Sequence, residues 1–342
     1  MPVNDTATSA ATTSPLDRVL ALEMVRVTEA AAMAAARQVG RGDETAADDA
    51  AVRAMRAAFD FVPVDGTVVI GEGERDHAPM LYIGEKLGAA QASDGRAGPE
   101  IDIAVDPLEG TTITAKAGAN ALAVLAIAGK GCLLNAPDVY MEKIAVGPGF
   151  PDGIVSLAKT PEENVAAVAA AKGVAPDRLM VSVLDRPRHA DLIGKLRELG
   201  CGIQLLGDGD IAGVIATADP DGGIDLYMGS GGAPEGVLAA AALRCLGGQF
   251  EGRLMFRNEA ERRRAHECGI TDFDRIYRLE DLARGDCIFA ATGVTDGSLL
   301  DGVRHVRRKD GRQALSTHSV VMRASTGTIR WIRGEHCAER ED

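Results

Sequence analysis

Aromatic side chains are scarce in this 342-residue chain: phenylalanine, tyrosine and tryptophan together make up 4%, with a single tryptophan. Alanine, valine and glycine abound instead, a small-residue composition that suits close packing of helices on sheets. Positive charge is also in short supply. Lys and Arg number 37 against 50 Asp and Glu, a formal net charge of −13. A chain this acidic is a poor partner for nucleic acid or an anionic membrane surface. It still admits an anionic small molecule, because bound cations and a few arginines can reverse the field inside one cleft. No apolar run approaches transmembrane length. Residues 1–15 lack the apolar core of a secretory signal and read as a short disordered tail, so the expectation is a soluble cytoplasmic protein.

Other familiar devices are missing. The six cysteines (Cys132, Cys201, Cys245, Cys268, Cys287 and Cys337) form no CxxC pair and read as reduced packing residues, with a redox switch as the alternative. There is no GxGxxG dinucleotide fingerprint and no Walker A lysine. His77, His266, His305, His318 and His336 have no ligand-like spacing, and neither a Ser–His–Asp triad nor a nucleophilic cysteine is in evidence. What chemistry there is must rest on carboxylates.

The hydrophobic fraction, 46%, is ample for a core, and the length favours two lobes over one. Leu20, Met24, Val27 and Ala31 recur at helical spacing, predicting a helix from Leu16 to about Val39 with Ser14 as its cap. A second helix is expected over 48–59, a strand over 67–70 and a short helix over 82–88. Strands follow at 101–105, ending at Asp106-Pro107, at 121–129 and at 141–148. The polar stretch Gly149–Pro161 is a plausible lobe boundary. Strand and helix then alternate: helix 161–172, strand 179–185, helix 189–199, strand 203–206, helix 210–217, strand 223–229, helix 234–246. This alternation predicts a layered α/β architecture, and the helix-rich first half argues against a plain doubly wound sheet. The basic string RHVRRK (304–309) reads as a solvated hairpin.

The sharpest chemical feature is Asp106-Pro-Leu-Glu109-Gly-Thr111 at the end of an apolar strand. Two carboxylates held close repel each other unless a cation lies between them, and an all-oxygen ligand set favours Mg²⁺ or Mn²⁺. The Thr111 hydroxyl can orient a water there. Gly71-Glu72-Gly73-Glu74-Arg75-Asp76 ends a second apolar strand; taken alone the string reads as a solvated acidic loop, but with a second strand-end carboxylate cluster nearby in sequence Glu72 is the candidate third ligand. Gly229-Ser-Gly-Gly-Ala-Pro-Glu235-Gly reads as a glycine-rich loop opening a helix. It can bind phosphate through free backbone N–H groups, or cap the cations through Glu235. Arg186-Pro187-Arg188 before a helix makes an anion clamp or a basic surface loop. Asp208-Gly-Asp210 can grip sugar hydroxyls or cap the next helix.

Taken in order, GRGDETAADDAAV, VVIGEGERDHAPMLYIGEKLG, IDIAVDPLEGTT, NALAVLAIAGKG, APDVYMEK, DRPRH, DGD and GGAPEG resemble the class II fructose-1,6-bisphosphatases, within the lithium-sensitive phosphatase superfamily. The resemblance spans about Leu22 to the C-terminal region. It implies a two-lobed α/β/α/β/α layered sandwich of the inositol-monophosphatase/sugar-phosphatase type. Residues 16–160 would form the metal-binding catalytic lobe. Residues 161–342 would form the sugar-phosphate lobe, which also contributes Glu235 to the metal site. The implied metal ligands are Asp48, Glu72, Asp106, Glu109 and Glu235, holding two or more Mg²⁺ or Mn²⁺ ions. The implied substrate contacts are Glu109, Gly110, Thr111, Tyr140, Arg186, Pro187, Arg188, Asp208, Gly209, Asp210 and Gly232. Asp48, Asp76 and Thr111 are the implied catalytic residues. The reaction implied is hydrolysis of the 1-phosphate of fructose 1,6-bisphosphate by a metal-activated water in gluconeogenesis, with sedoheptulose 1,7-bisphosphate as a further substrate in carbon-fixing members. A homo-oligomer, dimer or tetramer, is expected. The alternatives are an inositol or other sugar phosphatase with the same machinery, and a catalytically silent metabolite-binding regulator. One departure stands out: Glu44-Thr45 occupies the place where many relatives carry Lys-Asn.

Overall fold

The structure, a computed structural model, describes residues 16, 18–73, 79–91 and 98–337. The expected N-terminal tail, the Ser14 cap and Asp76 lie outside them. The described residues form a mixed α/β protein with nine helices and two mixed β-sheets. The helices are α1 (Leu20–Ala36), α2 (Glu44–Phe59), α3 (Thr111–Ala115), α4 (Pro161–Lys172), α5 (Ala190–Glu198), α6 (Asp210–Ile215), α7 (Ala233–Leu246), α8 (Glu259–Glu267) and α9 (Leu279–Leu282).

The eight-stranded sheet takes β1 (Asp65–Ile70), β2 (Lys86–Leu87), β3 (Glu100–Glu109), β4 (Leu122–Gly129), β11 (Cys287–Gly293), β12 (Arg304–Arg307), β13 (Gln313–Arg323) and β14 (Thr328–Cys337). The six-stranded sheet takes β5 (Tyr140–Val146), β6 (Met180–Leu184), β7 (Gly202–Leu206), β8 (Leu226–Gly232), β9 (Gln249–Met255) and β10 (Ile276–Arg278). The chain thus crosses to the second sheet between β4 and β5 and returns between β10 and β11. In the first sheet the order is β12-β13-β11-β4-β3-β1-β2, with β14 along the free side of β13. The second runs β10-β9-β5-β8-β6-β7. The pairs β1/β3, β6/β7 and β6/β8 are parallel.

Strand β4 shows why such a sheet needs cover on both faces. Its side chains alternate, as any strand's must. Ala123, Leu125 and Ile127 enter the core under α1 and α2. Leu122, Val124, Ala126 and Ala128 enter the core shared with α7. The sequence therefore reads as an unbroken apolar run rather than an alternation. Helix α7 lies between the sheets, touching β3, β4, β11 and β13 on one side and β5, β8 and β9 on the other. Its alanine-rich stretch suits that place, because small side chains let both sheets approach. Helices α4 and α5 cover the outer face of the second sheet, with Val165, Val168 and Leu196 against Val181 and Leu226.

Several expectations hold closely: helix 161–172 is observed at those bounds, and RHVRRK does enter an antiparallel hairpin of β12 with β13. Others need correction. Helix α2 starts at Glu44 rather than 48, because the Asp43 carboxylate accepts the Ala46 N–H at 2.9 Å and caps the helix early. The helix expected over 82–88 is absent. Gly84 and Gly88 have φ of +90° and +107°, and Lys86 and Leu87 pair with β1. The Glu85 carboxylate ties this turn together by accepting the Leu81 N–H and the Arg56 Nε–H. Sheet pairing here outweighs a weak local helical preference.

Candidate active site

One cleft of about 550 Å³ gathers the carboxylates and guanidiniums singled out in the sequence. Its acidic wall begins at the ends of β1 and β3. These strands run parallel, so Glu72, just past β1, lies beside the end of β3. β3 does not stop at Asp106-Pro107 as expected. It continues to Glu109, and its register with β4 slips between Asp106 and Glu109. The slip settles the chemistry. Residues three apart on a regular strand face opposite ways, and one bulged residue returns Glu109 to the face of Asp106. Proline at 107 is tolerated at this irregularity. Gly110 then takes φ of +93° and hands the chain to α3, whose first residue is Thr111. All three line the cleft. Asp48 reaches it from α2.

Glu235 comes from the second sheet's side. The segment expected as a glycine-rich loop is instead strand β8, which runs directly into α7, with Pro234 in the first turn as anticipated. The glycines are there for close approach. A Cβ on Gly232 would stand 2.0 Å from Glu235 Oε2, and one on Gly231 would stand 2.1 Å from Asp210 Oδ2.

The acidic wall is electrostatically loaded. Burial, then the Asp48 charge, pushes Glu72 up to about 7. Burial followed by the charges of Glu235, Glu72 and Asp48 holds Asp106 well above the usual carboxylate range. Glu109 is raised by burial and by Asp106 and Asp210. Glu235 is raised by burial and Asp210, against the opposing pull of Lys143. Glu109 Oε1 accepts the Ile211 N–H at 3.0 Å, which ties the acidic wall to the start of α6. Glu109 Oε2 and Glu235 Oε2 are buried with no hydrogen-bond partner. Buried carboxylate oxygens without donors fit hard divalent cations, whose ligands are oxygens. Among the described residues, no three acidic, His or Cys side chains are already closed around one point.

The opposite wall is basic and anchored. Arg188 donates from Nε to Ser230 Oγ at 3.0 Å and from Nη2 to the Ser230 carbonyl at 2.6 Å. His189 sets Ser230 in turn. Its Nε2 accepts the Ser230 N–H at 2.9 Å, so Nδ1 must carry the proton, which it donates to the Leu184 carbonyl at 2.7 Å. Burial lowers the His189 pKa, assisted by Arg188 and Arg186 and opposed by the Leu184 bond. Arg186 donates to the Asp185 and Gly207 carbonyls and to Asp208 at 3.2 Å, joining the two loops that follow β6 and β7. Tyr140, at the start of β5, presents its ring to the Arg188 guanidinium at 4.8 Å. Pro187 is exposed and does not line the cleft.

Asp208, Gly209 and Asp210 lie between the walls. Gly209, with φ of +82°, is the residue before α6, and neither aspartate caps the helix through its side chain. Asp210 is instead paired with Lys143 of β5, the one buried lysine or arginine among the described residues. Lys143, Ser230, His189 and Arg257 are site elements that sequence reasoning missed. Lys143 had a signal, a lysine amid the apolar run YMEKIAV, but such a residue reads equally as a solvated edge.

Opposed walls of this kind, one of unpartnered carboxylates and one of anchored guanidiniums, suit an enzyme that handles phosphate esters with divalent cations. The comparisons agree. The chain belongs to the bacterial fructose-1,6-bisphosphatase family, glpX-encoded, which matches residues 18–336. It is 46% identical over 339 residues to the fructose-1,6-bisphosphatase 1 class 2 of Escherichia coli K12, covering 95% of this chain and 97% of the relative. The fructose-1,6-bisphosphatase class 2 of Shigella flexneri matches to the same extent.

Proposed function

We propose that this chain hydrolyses the 1-phosphate of fructose 1,6-bisphosphate, with Mg²⁺ or Mn²⁺ held among Asp48, Glu72, Asp106, Glu109 and Glu235. The observation that carries this reading is the set of buried, mutually repelling carboxylates, two with unpartnered oxygens, facing anchored arginines across one cleft. Bound there, the cations neutralise phosphate charge and acidify a water. The chain's own residues supply alignment. Thr111, at the start of α3, orients the attacking water, with Asp48 as its partner. Asp208 and Asp210 accept hydrogen bonds from sugar hydroxyls. The arginines receive the phosphate that is not cleaved. The remaining barrier is charge stabilisation and in-line geometry, as phosphoryl transfer demands.

In this division of labour residues 16–160 hold the cations, while 161–342 grip the sugar phosphate and lend Glu235. The packing of α1 and α2, the first sheet, α7, the second sheet, and α4 with α5 supports an α/β/α/β/α layered sandwich. A homo-oligomer belongs to the same reading, and light scattering tests it. No helix among the described residues is long and apolar enough to cross a membrane.

The test is phosphate release from fructose 1,6-bisphosphate and from sedoheptulose 1,7-bisphosphate, each with Mg²⁺, Mn²⁺ or EDTA. Release that needs metal and stops in EDTA is expected, and the rate ratio sets the preference between six and seven carbons. Folded protein that binds metal yet releases phosphate from neither would overturn the proposal.

A further inference from the structure

Lys143, the one buried lysine or arginine among the described residues, lies inside the set of carboxylates assigned to the cations. Its stem passes where glycines leave room. Gly229 of β8 and Gly252 of β9 are its directly paired neighbours in the sheet. A Cβ on Gly231 would stand 3.2 Å from the Lys143 Nζ, and one on Gly236 of α7 would stand 3.2 Å from its Cε. The ammonium ends on Asp210 Oδ2, to which it donates.

By position Asp210 belongs with the metal-binding carboxylates. It is 5% exposed. Ile211, the next residue, donates its N–H to Glu109 Oε1. The Asp210 charge raises Glu109 and Glu235 alike, while Lys143 opposes the rise at Glu235. Left bare, a buried carboxylate this close to two cation-binding carboxylates would attract Mg²⁺ or Mn²⁺ itself, since both ions fill their shells with oxygen. An unpaired charge there is costly, so something positive must stand beside it. Arg186 and Arg188 do not serve: their donors are committed to Asp208, to Ser230 and to backbone carbonyls.

We infer that Lys143 takes the place of a cation on Asp210 and so reserves that carboxylate for the sugar. Lys143 is then a positioning residue that sets specificity. It divides the buried acids into those that take metal, Glu109 and Glu235, and one that does not. The inference deepens the bisphosphatase reading and rests on it for the roles of Asp210 and the cations. A tethered ammonium suits this task. It brings a single charge, stays in place while divalent ions exchange, and leaves Asp210 anionic and able to accept a hydroxyl.

The experiment counts Mn²⁺ bound per chain by electron paramagnetic resonance, without substrate, in wild type, Lys143→Met, Asp210→Asn and the double variant. Lys143→Met should bind one Mn²⁺ more than wild type, and the double variant should return to the wild-type number. Mn²⁺ should also raise the melting temperature of Lys143→Met by more than it raises that of wild type, because the added ion binds the folded chain. Kinetics give a second readout. At saturating Mn²⁺, Lys143→Met should raise KM for fructose 1,6-bisphosphate about 10-fold, the loss expected for one charge-assisted hydrogen bond, with kcat changed less. Asp210→Asn should raise KM by a similar factor and keep the wild-type Mn²⁺ number. That variant decides the matter even if Lys143→Met does not fold: a lost Mn²⁺ in Asp210→Asn would make Asp210 a metal ligand and overturn the inference. An unchanged Mn²⁺ number in folded Lys143→Met would overturn it as well. If wild type itself does not turn over fructose 1,6-bisphosphate, the functional reading fails; wild-type turnover with no added Mn²⁺ in Lys143→Met defeats only this role of Lys143.

Discussion

The two walls of the cleft solve opposite problems. On the acidic wall, Asp106, Glu109 and Glu235 are forced together by backbone geometry, and two of their oxygens are left without donors. On the basic wall, Arg186, Arg188 and Arg257 each have at least one edge committed to carbonyls, hydroxyls or carboxylates of the protein. One wall is left with buried oxygens that no protein donor reaches; the other is held in place by bonds within the protein.

The largest test of the contrast is Glu109→Gln. It removes one of the repelling charges, so turnover should fall by about 10²-fold or more with weakened Mg²⁺ binding, since a cation supplies several kcal/mol of transition-state stabilisation. The same variant in EDTA should melt no lower than wild type, because a buried repulsion has been relieved; calorimetry with and without Mg²⁺ reads both arms. Next is Lys143→Met, which strands the Asp210 carboxylate in a buried site. A loss of about 3–5 kcal/mol in denaturant unfolding is expected, with much of it recovered by adding Asp210→Asn. If the single variant is as stable as wild type, the pair does not carry the join between the walls.

Gly232→Ala should then push Glu235 aside through the 2.0 Å approach, cutting metal-dependent turnover about 10-fold or more while the sheet survives. Gly194→Ala in α5, where a Cβ meets nothing within 4 Å, is the matching control and should stabilise by about 0.5–1 kcal/mol. On the basic wall, His189 is held neutral, its pKa depressed from 6.5 by burial and by Arg188 and Arg186. The unfolded chain takes up a proton near 6.5 that the folded chain refuses. This contribution to stability is therefore present above 6.5 and is lost as pH falls from there to the folded value. Replacing His189 with Gln should flatten that part of the melting-temperature profile, and a profile of unchanged slope would remove His189 from the account.

Much of this was legible in residues close together in the chain. The helix expected over 161–172 is observed at those bounds, where Thr160 and Glu163 form a reciprocal cap. Asp106 and Glu109 were identifiable as partners because they flank a proline three residues apart, with a glycine after them, at the end of an apolar strand. The reason they face one way was not legible, because a bulge is defined by the register against β4, a strand more than ten residues away. The helix expected over 82–88 failed for the same kind of reason: its backbone finds partners in β1 and its carboxylate finds Arg56, neither of which is local. The sequence divides the chain near residue 160, whereas the sheets exchange between β4 and β5 and again after β10, since β11 pairs with β4.

By itself the sequence determined the clustering of carboxylates at strand ends and the alternation of strands and helices, because these depend on residue type and short spacing, while the class of substrate came from a resemblance carried by motifs spread along the chain. Only the tertiary structure decided that Lys143 neutralises Asp210, that His189 fixes Ser230, and that Arg257 joins Arg188 on Tyr140. Those pairings depend on which strands lie side by side, and burial gives each its strength by removing the water that would otherwise compete for it.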